Sequence, residues 1–108
     1  MIDSKKLAVI MPAYNEEKLI AKSIESVPDE VDIIFVINDC SKDATQDIVK
    51  KMSKKNEKIV LINNEKNSGV GFAITKGYEE AYKKDCNIAV VMPGDAQALP
   101  EDFFNLIE

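Results

Sequence analysis

A carboxylate and an amide directly follow the last apolar run of the chain. In the stretch "IAVVMPGDAQALPED", residues 88–102, Asp95 and Gln97 come just after the apolar residues stop. Carboxylate and amide oxygens are ligands that Mg²⁺ and Mn²⁺ accept, and these ions can at the same time bind diphosphate oxygens. Pro-Gly-Asp is also a common turn sequence, and taken alone the stretch favours a turn. Other parts of the sequence are needed to choose between a metal site and a turn.

Polar residues with binding chemistry also follow the first two apolar runs. "PAYNEE" starts at Pro12, and there Tyr14 offers a ring face for stacking while Glu16 can accept hydrogen bonds from ribose hydroxyls. "NDCSKDAT" contains Asp39, whose carboxylate could accept a hydrogen bond from a nucleobase ring N–H. Each stretch has a structural alternative as well. The first could be a helix start capped by Asn15, and the second an Asx-turn.

A glycine pair follows the third apolar run, in "NEKNSGVGFAITKG". Gly69 and Gly71 open a helical pattern, and glycines let backbone amides approach a phosphate or a ribose closely. The pair does not match the dinucleotide fingerprint G-x-G-x-x-G, because the third glycine and the later acid are missing. Lys66 is a positive charge placed to meet a diphosphate, although an exposed surface lysine is the simpler alternative.

The elements that would position these residues alternate along the chain. Four apolar, β-branched runs predict strands buried on both faces of a parallel sheet, at residues 7–11, 33–37, 59–62 and 88–92. Helical spacing of apolar residues predicts helices at 17–27, 45–55, 70–84 and 101–108, the second capped by Ser41 or Asp43. The order βαβαβαβα indicates an α/β fold with a doubly wound parallel sheet. Ligands of such sheets bind at the carboxyl ends of the strands, where these polar residues lie.

Composition excludes several other functions. The 108 residues fit one domain, and the net charge of −5 argues against nucleic acid as a partner. The chain has no His, which removes His-based acid–base chemistry, and Cys40 and Cys86 lack the spacing of a zinc site. We expect both to be free, buried or half-buried thiols in a reducing cytoplasm. No apolar run reaches the length of a membrane span, and no signal peptide opens the chain.

Four motifs together carry a family resemblance. "VIMPAYNEE", "IIFVINDCSKDAT", "NEKNSGVGFAITKGYEEA" and "VVMPGDAQALPED" resemble, in order and spacing, the motifs of family 2 glycosyltransferases with the GT-A fold, especially the dolichyl- or polyprenyl-phosphate sugar synthases. The resemblance implies a Rossmann-like fold and one nucleotide-sugar-binding domain over residues 1–108. It also implies that this domain is the donor-binding half of a longer enzyme, whose catalytic base would lie beyond Glu108.

The resemblance also implies a set of site residues. The first loop would border the nucleobase and ribose, Asp39 would contact the base, and the third motif would line the sugar-nucleotide pocket. Asp95 aligns with the second acid of the family's D-x-D motif and Gln97 with a following amide, so both would bind Mg²⁺ or Mn²⁺. Pro93 and Asn38 stand where the family usually has further acids. The implied nucleotide-sugar-binding residues are Pro12, Ala13, Tyr14, Glu16, Asp39, Lys66, Asn67, Gly71 and Asp95.

The implied reaction is metal-assisted, inverting transfer of a sugar from a UDP- or GDP-sugar to an acceptor such as polyprenyl phosphate or a glycan. It would occur in the cytoplasm or at the cytoplasmic face of the membrane, and the 108 residues alone would be inactive. A nucleotide-binding module without turnover is the alternative, which Pro93 and the stop at Glu108 favour. A flavodoxin-like or response-regulator-like domain would share the βα rhythm. An uncovered edge or face of the sheet further predicts self-association into homodimers.

Overall fold

The computed structural model describes residues 5–94 of the chain. Strands and helices alternate through this range, as the apolar runs predict. The elements are β1 (Leu7–Ala13), α1 (Ile20–Glu25), β2 (Ile33–Asp39), α2 (Thr45–Lys55), β3 (Ile59–Asn64), α3 (Val70–Lys83) and β4 (Ile88–Val91). The predicted helix at 101–108, like Asp95 and Gln97, lies outside the described residues.

The four described strands form one parallel sheet in the order β3-β2-β1-β4. This is the strand order of the first half of a doubly wound Rossmann sheet, so the predicted fold class is confirmed. A flavodoxin-like sheet begins 2-1-3 and would place β3 beside β1. Here β3 pairs with β2 instead, which excludes that alternative.

Side chains of the central strand alternate between two apolar layers. Leu7 and Val9 of β1 pack with buried residues of α1 and α2, whereas Ala8 and Ile10 pack with those of α3. All seven residues of β1 are buried, which explains why its sequence is continuously apolar rather than alternating. Helices therefore cover both faces of the sheet.

The helix α3 lies especially close to β1 at Gly77. A Cβ atom at Gly77 would lie 2.3 Å from Cγ2 and 2.9 Å from Cγ1 of Ile10, a fully buried residue of β1. Real Cβ atoms essentially never come so close to another atom. The close contact therefore depends on the absence of a side chain at position 77.

Several predicted boundaries need correction, and β4 and α3 each end one residue earlier than predicted, at Val91 and Lys83. The strands β1, β2 and β3 each run two residues further than predicted, because the pairing continues through Ala13↔Asn38 and Asp39↔Asn64. Several predicted loop residues are thus held in the sheet. Regular helix in α1 covers six residues instead of eleven, since residues 17–19 form a turn in which the N–H groups of Leu19 and Ile20 both donate to the carbonyl of Glu16.

The amino ends of β1 and β2 are joined by reciprocal hydrogen bonds. The N–H of Leu7 donates to Oδ2 of Asp32, and the N–H of Asp32 donates to the carbonyl of Leu7, both at 2.8 Å. The bond from Leu7 lowers the pKa of the Asp32 carboxyl below 3.8, and it outweighs the raising effect of desolvation. Asp32 therefore stabilises the start of β1 while it is ionised.

Both cysteines are free and half-buried, as predicted. The Sγ of Cys40 donates to the carbonyl of Glu65 at 3.3 Å, and burial raises the pKa of the Cys86 thiol.

Within residues 5–94, every helix is too short or too polar to pass through a bilayer.

Candidate functional site

A pocket opens at the carboxyl ends of β1 and β2, where parallel sheets bind ligands. Its volume is about 200 Å³. Five of its lining residues were predicted from the sequence and come from the first two motifs: Pro12, Ala13, Tyr14, Glu16 and Asp39. Val70, Ala73 and Pro93 complete the lining. The structure thus brings the first two motifs into one cavity.

The loop after β1 is hydrogen-bonded to the loop after β2. Oδ1 of Asn15 accepts from the N–H of Lys42 at 2.8 Å, and the N–H of Asn15 donates to Oγ of Ser41 at 3.0 Å. Asn15 has a positive φ of 52°, which asparagine tolerates better than most residues. The expected caps are therefore wrong: Asn15 does not cap α1 and Ser41 does not cap α2, because each bonds to the neighbouring loop.

Three further hydrogen bonds join the same two loops. Oγ1 of Thr45 accepts from the N–H of Glu16 at 2.8 Å, and Oδ2 of Asp43 accepts from the N–H of Glu17 at 3.2 Å. Oε2 of Glu17 in turn accepts from the N–H of Ala44 at 3.3 Å. Thr45 is fully buried. These bonds fix the backbone at Glu16 and so the rim of the pocket.

Asp43 also bonds to the first turn of α2. Its Oδ1 accepts from the N–H of Thr45 at 2.9 Å and from the Thr45 hydroxyl. Desolvation raises the pKa of the Asp43 carboxyl, but the hydrogen bonds from Thr45 and Glu17 outweigh it and hold the pKa below 3.8. Asp43 is therefore not the predicted N-cap of α2, which is Ala44, but its carboxylate bonds to Thr45, the first residue of the helix.

We expect the stability of the protein to fall at acid pH because of Asp32 and Asp43. Both folded-state pKa values are lowered, so the unfolded state binds protons more readily. Their stabilising contribution is complete above the unfolded value of 3.8 and is lost as the pH falls through the lower folded values. Urea unfolding at about pH 6 and about pH 3 measures this loss.

The matched control is the double variant Asp32→Asn and Asp43→Asn, which keeps oxygen acceptors at both positions but cannot titrate there. Its unfolding midpoint should change less between the two pH values than that of the wild type. An equal change in both proteins would contradict the assignment to these two carboxyls.

The ends of β2 and β3 carry two pairs of polar side chains. Nδ2 of Asn38 donates to Oδ1 of Asn63 at 2.9 Å, and Oδ1 of Asn38 accepts from the N–H of Ser41 at 3.2 Å. Asn38 thus uses both a donor and an acceptor, and an ionised aspartate could not supply the donor. These two bonds explain why an amide suits position 38, where the family resemblance leads us to expect an acid.

Asp39, the next residue, bonds to the loop that leads into α3. Its Oδ1 accepts from the N–H of Ser68 at 3.0 Å and from Nδ2 of Asn64 at 3.3 Å, and its Oδ2 accepts from the N–H of Gly69 at 2.9 Å. The side chain is 4% exposed. Asp39 therefore lines the pocket and at the same time holds the third motif.

Three predicted residues of the third motif do not line the pocket. Lys66, Asn67 and Gly71 are exposed and absent from its lining. A Cβ at Gly71 would meet no atom within 4 Å, so the structure shows no close approach at that glycine. Their assignment to a sugar-nucleotide site stays a prediction.

Comparison with known proteins assigns the family. The family model described as "Glycosyl transferase family 2" matches residues 8–108. The chain belongs to glycosyl transferase family 2. The GT-A fold expected from the motifs is supported by solved structures. A mannosyltransferase from Pyrobaculum calidifontis, in complex with GDP-Man and Mn²⁺, aligns with a TM-score of 0.73 at 22% identity over 85% of this chain and 28% of that chain. TarS from S. aureus aligns with a TM-score of 0.75 at 25% identity over 94% and 31%.

A curated relative is similar over nearly the whole chain. It is the UDP-N-acetylglucosamine–dolichyl-phosphate N-acetylglucosaminyltransferase of Methanococcus voltae, 33% identical over 117 residues. The match covers 96% of this chain and 47% of the relative. The family 2 glycosyltransferase chain described here therefore spans about half the length of this relative.

Sequence reasoning missed three pocket residues of this family 2 glycosyltransferase chain. Val70 and Ala73 lie in the first turn of α3, and Pro93 follows β4. The signal was present: Val70 comes directly after the predicted loop, and Ala73 lies three residues later on the inner side of the helix. Their apolar character predicts a place in the core and not in a ligand pocket.

A larger cavity of about 590 Å³ lies at the opposite end of the sheet, near the amino ends of β2 and β3. Its lining includes Val31, Ile34 and Ile59 of the core, and Lys55 and Lys58 at its edge. Size alone would favour this cavity. We assign the site to the smaller pocket because ligands of doubly wound sheets bind at the carboxyl ends of the strands.

The metal ligands predicted from the sequence lie outside the described residues. Within residues 5–94, no group of three or more His, Cys, Asp or Glu side chains could hold a metal ion. Both carboxylate oxygens of Asp39 already accept N–H donors. The assignment of Asp95 and Gln97 as metal ligands therefore stays a prediction.

Proposed function

We propose that the chain is the donor-binding part of a glycosyltransferase and binds a nucleoside-diphosphate sugar in the 200 Å³ pocket. The supporting observation is that residues of two family motifs line one cavity at the carboxyl ends of β1 and β2. The whole enzyme transfers the sugar to an acceptor with inversion. Its catalytic base comes from residues beyond Glu108, and residues 1–108 act as one domain.

The rim of the pocket suits a nucleoside. Tyr14 is 41% exposed at the pocket, so its ring is available to stack on a base. Glu16 lines the same cavity and is able to accept hydrogen bonds from ribose hydroxyls. Because the hydrogen bonds between the two loops already fix the backbone of Glu16, little ordering is needed when the nucleoside binds.

The diphosphate is bound through a divalent cation, Mg²⁺ or Mn²⁺, held by Asp95 and Gln97. The support is the geometry of Gly94, the residue before Asp95. Its N–H donates to the carbonyl of Pro12 at 2.9 Å, and its carbonyl accepts from Oγ of Ser23 at 2.6 Å. The chain entering the motif is thus anchored to a residue of the pocket. When bound, the cation neutralises the leaving nucleoside diphosphate.

Pro93 occupies the position where the family has a first acid, so one carboxylate fewer is available. We expect the cation to bind weakly alone and to depend on the phosphate oxygens of the nucleotide. Lys66, Asn67 and Gly71 stay proposed contacts of the donor, although they are exposed and do not line the pocket.

The acceptor is a polyprenyl phosphate or a glycan. The Methanococcus voltae relative is named for dolichyl phosphate as its acceptor and UDP-N-acetylglucosamine as its donor. The Pyrobaculum calidifontis structure instead holds GDP-Man, so a UDP- or GDP-sugar is the donor class. A lipid acceptor would bring this cytoplasmic protein to the membrane face.

The experiment is thermal unfolding of the chain with UDP, GDP and their sugar conjugates, with and without Mn²⁺. A ligand that binds only the folded state adds about 2.7 kcal/mol of stability at a hundredfold excess over its dissociation constant. We expect a rise in the unfolding temperature for one nucleotide, dependent on Mn²⁺ and abolished by chelation. Asp95→Ala should remove the Mn²⁺-dependent rise.

The matched control is Asp29→Ala, which removes an exposed acid beside the larger cavity at the far end of the sheet. This variant should keep the full response to nucleotide and Mn²⁺. Loss of the response in both variants would indicate a general charge effect, and no response in the wild type would contradict the proposed donor site.

A nucleotide-binding module without turnover is the second candidate, and Pro93 in place of an acid favours it. Turnover by a protein that includes the remaining length of its relatives would decide against it. Nucleotide binding without sugar transfer by such a protein would support it. Homodimer formation, the other expectation, is tested by sedimentation of the chain at high concentration.

A further inference from the structure

We propose that Ser23 is a positioning residue whose hydroxyl fixes Pro93 and Gly94, the residues that follow β4 at the wall of the donor pocket. The part of the proposal that concerns nucleotides rests on the proposed function. The part that concerns the backbone after β4 is independent of it.

Ser23 is a polar residue on the core-facing side of α1. It is 2% exposed, and the other buried residues of this helix, Ile20 and Ile24, belong to the apolar layer between the sheet and the helices α1 and α2. A hydroxyl in such a place costs free energy unless it forms a hydrogen bond. The Ser23 hydroxyl donates to the carbonyl of Gly94 at 2.6 Å, across 71 residues of sequence. The polar residue of α1 thus has its partner in the segment after β4.

The carbonyl of Gly94 needs this donor because the pairing of β1 with the chain after β4 stops there. The N–H of Gly94 donates to the carbonyl of Pro12 at 2.9 Å, so the register of the two strands extends to this residue. In a continuing parallel ladder, the carbonyl of Gly94 would accept in turn from the N–H of Tyr14. The strand β1 ends at Ala13, however, and the Ser23 hydroxyl takes the place of that strand donor.

Gly94 lies close to α1 as well as to β1. A Cβ atom at Gly94 would lie 3.0 Å from Cδ1 of Ile20 and 3.3 Å from Cβ of Ala13. Contacts of 3.0–3.4 Å are tighter than nine in ten of those that real Cβ atoms make. The absence of a side chain at position 94 therefore lets the chain come close enough to α1 for the Ser23 hydroxyl to bind its carbonyl.

The contact reaches the pocket through the backbone of Pro93 and Gly94. Pro93 and Pro12 both line the pocket, whereas Ser23 does not. Because Gly94 follows Pro93 directly and is bonded to Pro12, the Ser23 hydroxyl holds the two prolines of the wall in a fixed relation. The next residue along the chain is Asp95, the predicted metal ligand. Ser23 therefore also fixes the point from which the chain continues to that acid.

The test is Ser23→Ala in the 108-residue chain, with hydrogen exchange followed by NMR. Without the hydroxyl, the carbonyl of Gly94 loses its buried donor, and the segment after β4 should open locally more often. We expect exchange at the Gly94 amide to become about tenfold faster, a factor that the loss of one buried hydrogen bond can supply. Exchange at Lys84, at the far end of α3, should not change.

Nucleotide binding gives a second readout, which separates a positioning role from a contribution to stability alone. At a temperature where both proteins are folded, Ser23→Ala should weaken the Mn²⁺-dependent binding of the nucleotide that the wild type prefers by about three- to tenfold. Binding without Mn²⁺ should change less. A residue that only stabilises the core would lower the unfolding temperature and leave both affinities unchanged.

Ser26→Ala is the matched control, since it removes a hydroxyl from the end of the same helix. The Ser26 hydroxyl donates to the carbonyl of Ser23 at 2.7 Å, in the turn that ends α1. This variant should leave exchange at Gly94 and both affinities unchanged. Ser23→Cys keeps a side chain of similar size with a weaker donor, so its effects should be intermediate. It also provides both readouts if Ser23→Ala does not fold.

Each readout can overturn its part of the proposal. Exchange at Gly94 that is unchanged in Ser23→Ala, or already unprotected in the wild type, would overturn the role of Ser23 in holding the segment. Unchanged affinities would overturn its role in binding. If no nucleotide binds the wild-type chain, the proposed function fails, and the exchange rates alone then support or overturn the positioning role of Ser23.

Discussion

Gly77→Ala is expected to lower the free energy of unfolding by about 2 kcal/mol, despite the better helix propensity of alanine. The new Cβ would lie 2.3 Å from Cγ2 of Ile10, and Cγ1 and Cβ of the same side chain are within 3.1 Å. These atoms belong to the branched base of a fully buried isoleucine, so they cannot swing away as the end of a flexible side chain could. Helix α3 or strand β1 must shift. Urea unfolding monitored by circular dichroism measures the loss.

Gly71→Ala is the matched control because it lies in the same helix and its Cβ would meet no atom within 4 Å. It should raise the unfolding free energy by up to about 1 kcal/mol through helix propensity alone. The two glycines should thus give changes of opposite sign. A stabilising Gly77→Ala would show that α3 does not pack on β1 as closely as described.

Thr45→Val is expected to lower the free energy of unfolding by about 1–3 kcal/mol and to weaken any nucleotide binding. The substitution keeps the shape but removes the hydroxyl, which accepts from the N–H of Glu16 and donates to the carboxylate of Asp43. Thr45 is fully buried, so water cannot easily replace these bonds. The backbone N–H of Glu16 would be left without its acceptor at the rim of the pocket.

Thr45→Ser separates the hydroxyl from the methyl group of the threonine. Serine keeps both hydrogen bonds and loses only a methyl group, so most of the stability and of the nucleotide response should be retained. Equal losses in Thr45→Val and Thr45→Ser would assign the effect to packing, and the hydrogen bonds between the two loops would then matter little.

The fold of this family 2 glycosyltransferase chain could be predicted from local signals. Continuous β-branched runs indicated strands covered on both faces, and the structure has helices on both sides of β1. The bounds of α2 were predicted to the residue, because both signals are local: Asp43 stands just before the helix, and the apolar spacing lies within it. The bounds of α1 were not, since its first residues form a turn shaped by hydrogen bonds to the next loop.

The roles of the site residues depended on partners distant in sequence. Asn15 looked like a helix cap, but its side chain bonds to a loop 27 residues later. Asp39 looked like a carboxylate available for a ligand after a strand. Its two oxygens instead accept hydrogen bonds from backbone N–H groups about 30 residues later. Residue type and spacing singled out five of the residues that line the pocket. Which contacts each polar group makes was decided by the way the βα loops meet, which no local pattern describes.

The central position of β1 has a consequence for folding during synthesis. One edge of β1 pairs with β2, but the other pairs with β4, and the hydrogen bond between Lys6 and Asn87 at this edge spans 81 residues. At about 5–20 residues per second, the ribosome makes β4 roughly 4–16 s after β1. Throughout that interval β1, a strand buried at every residue in the folded protein, has an unpaired edge, which is a site for chaperone capture or for aggregation of nascent chains.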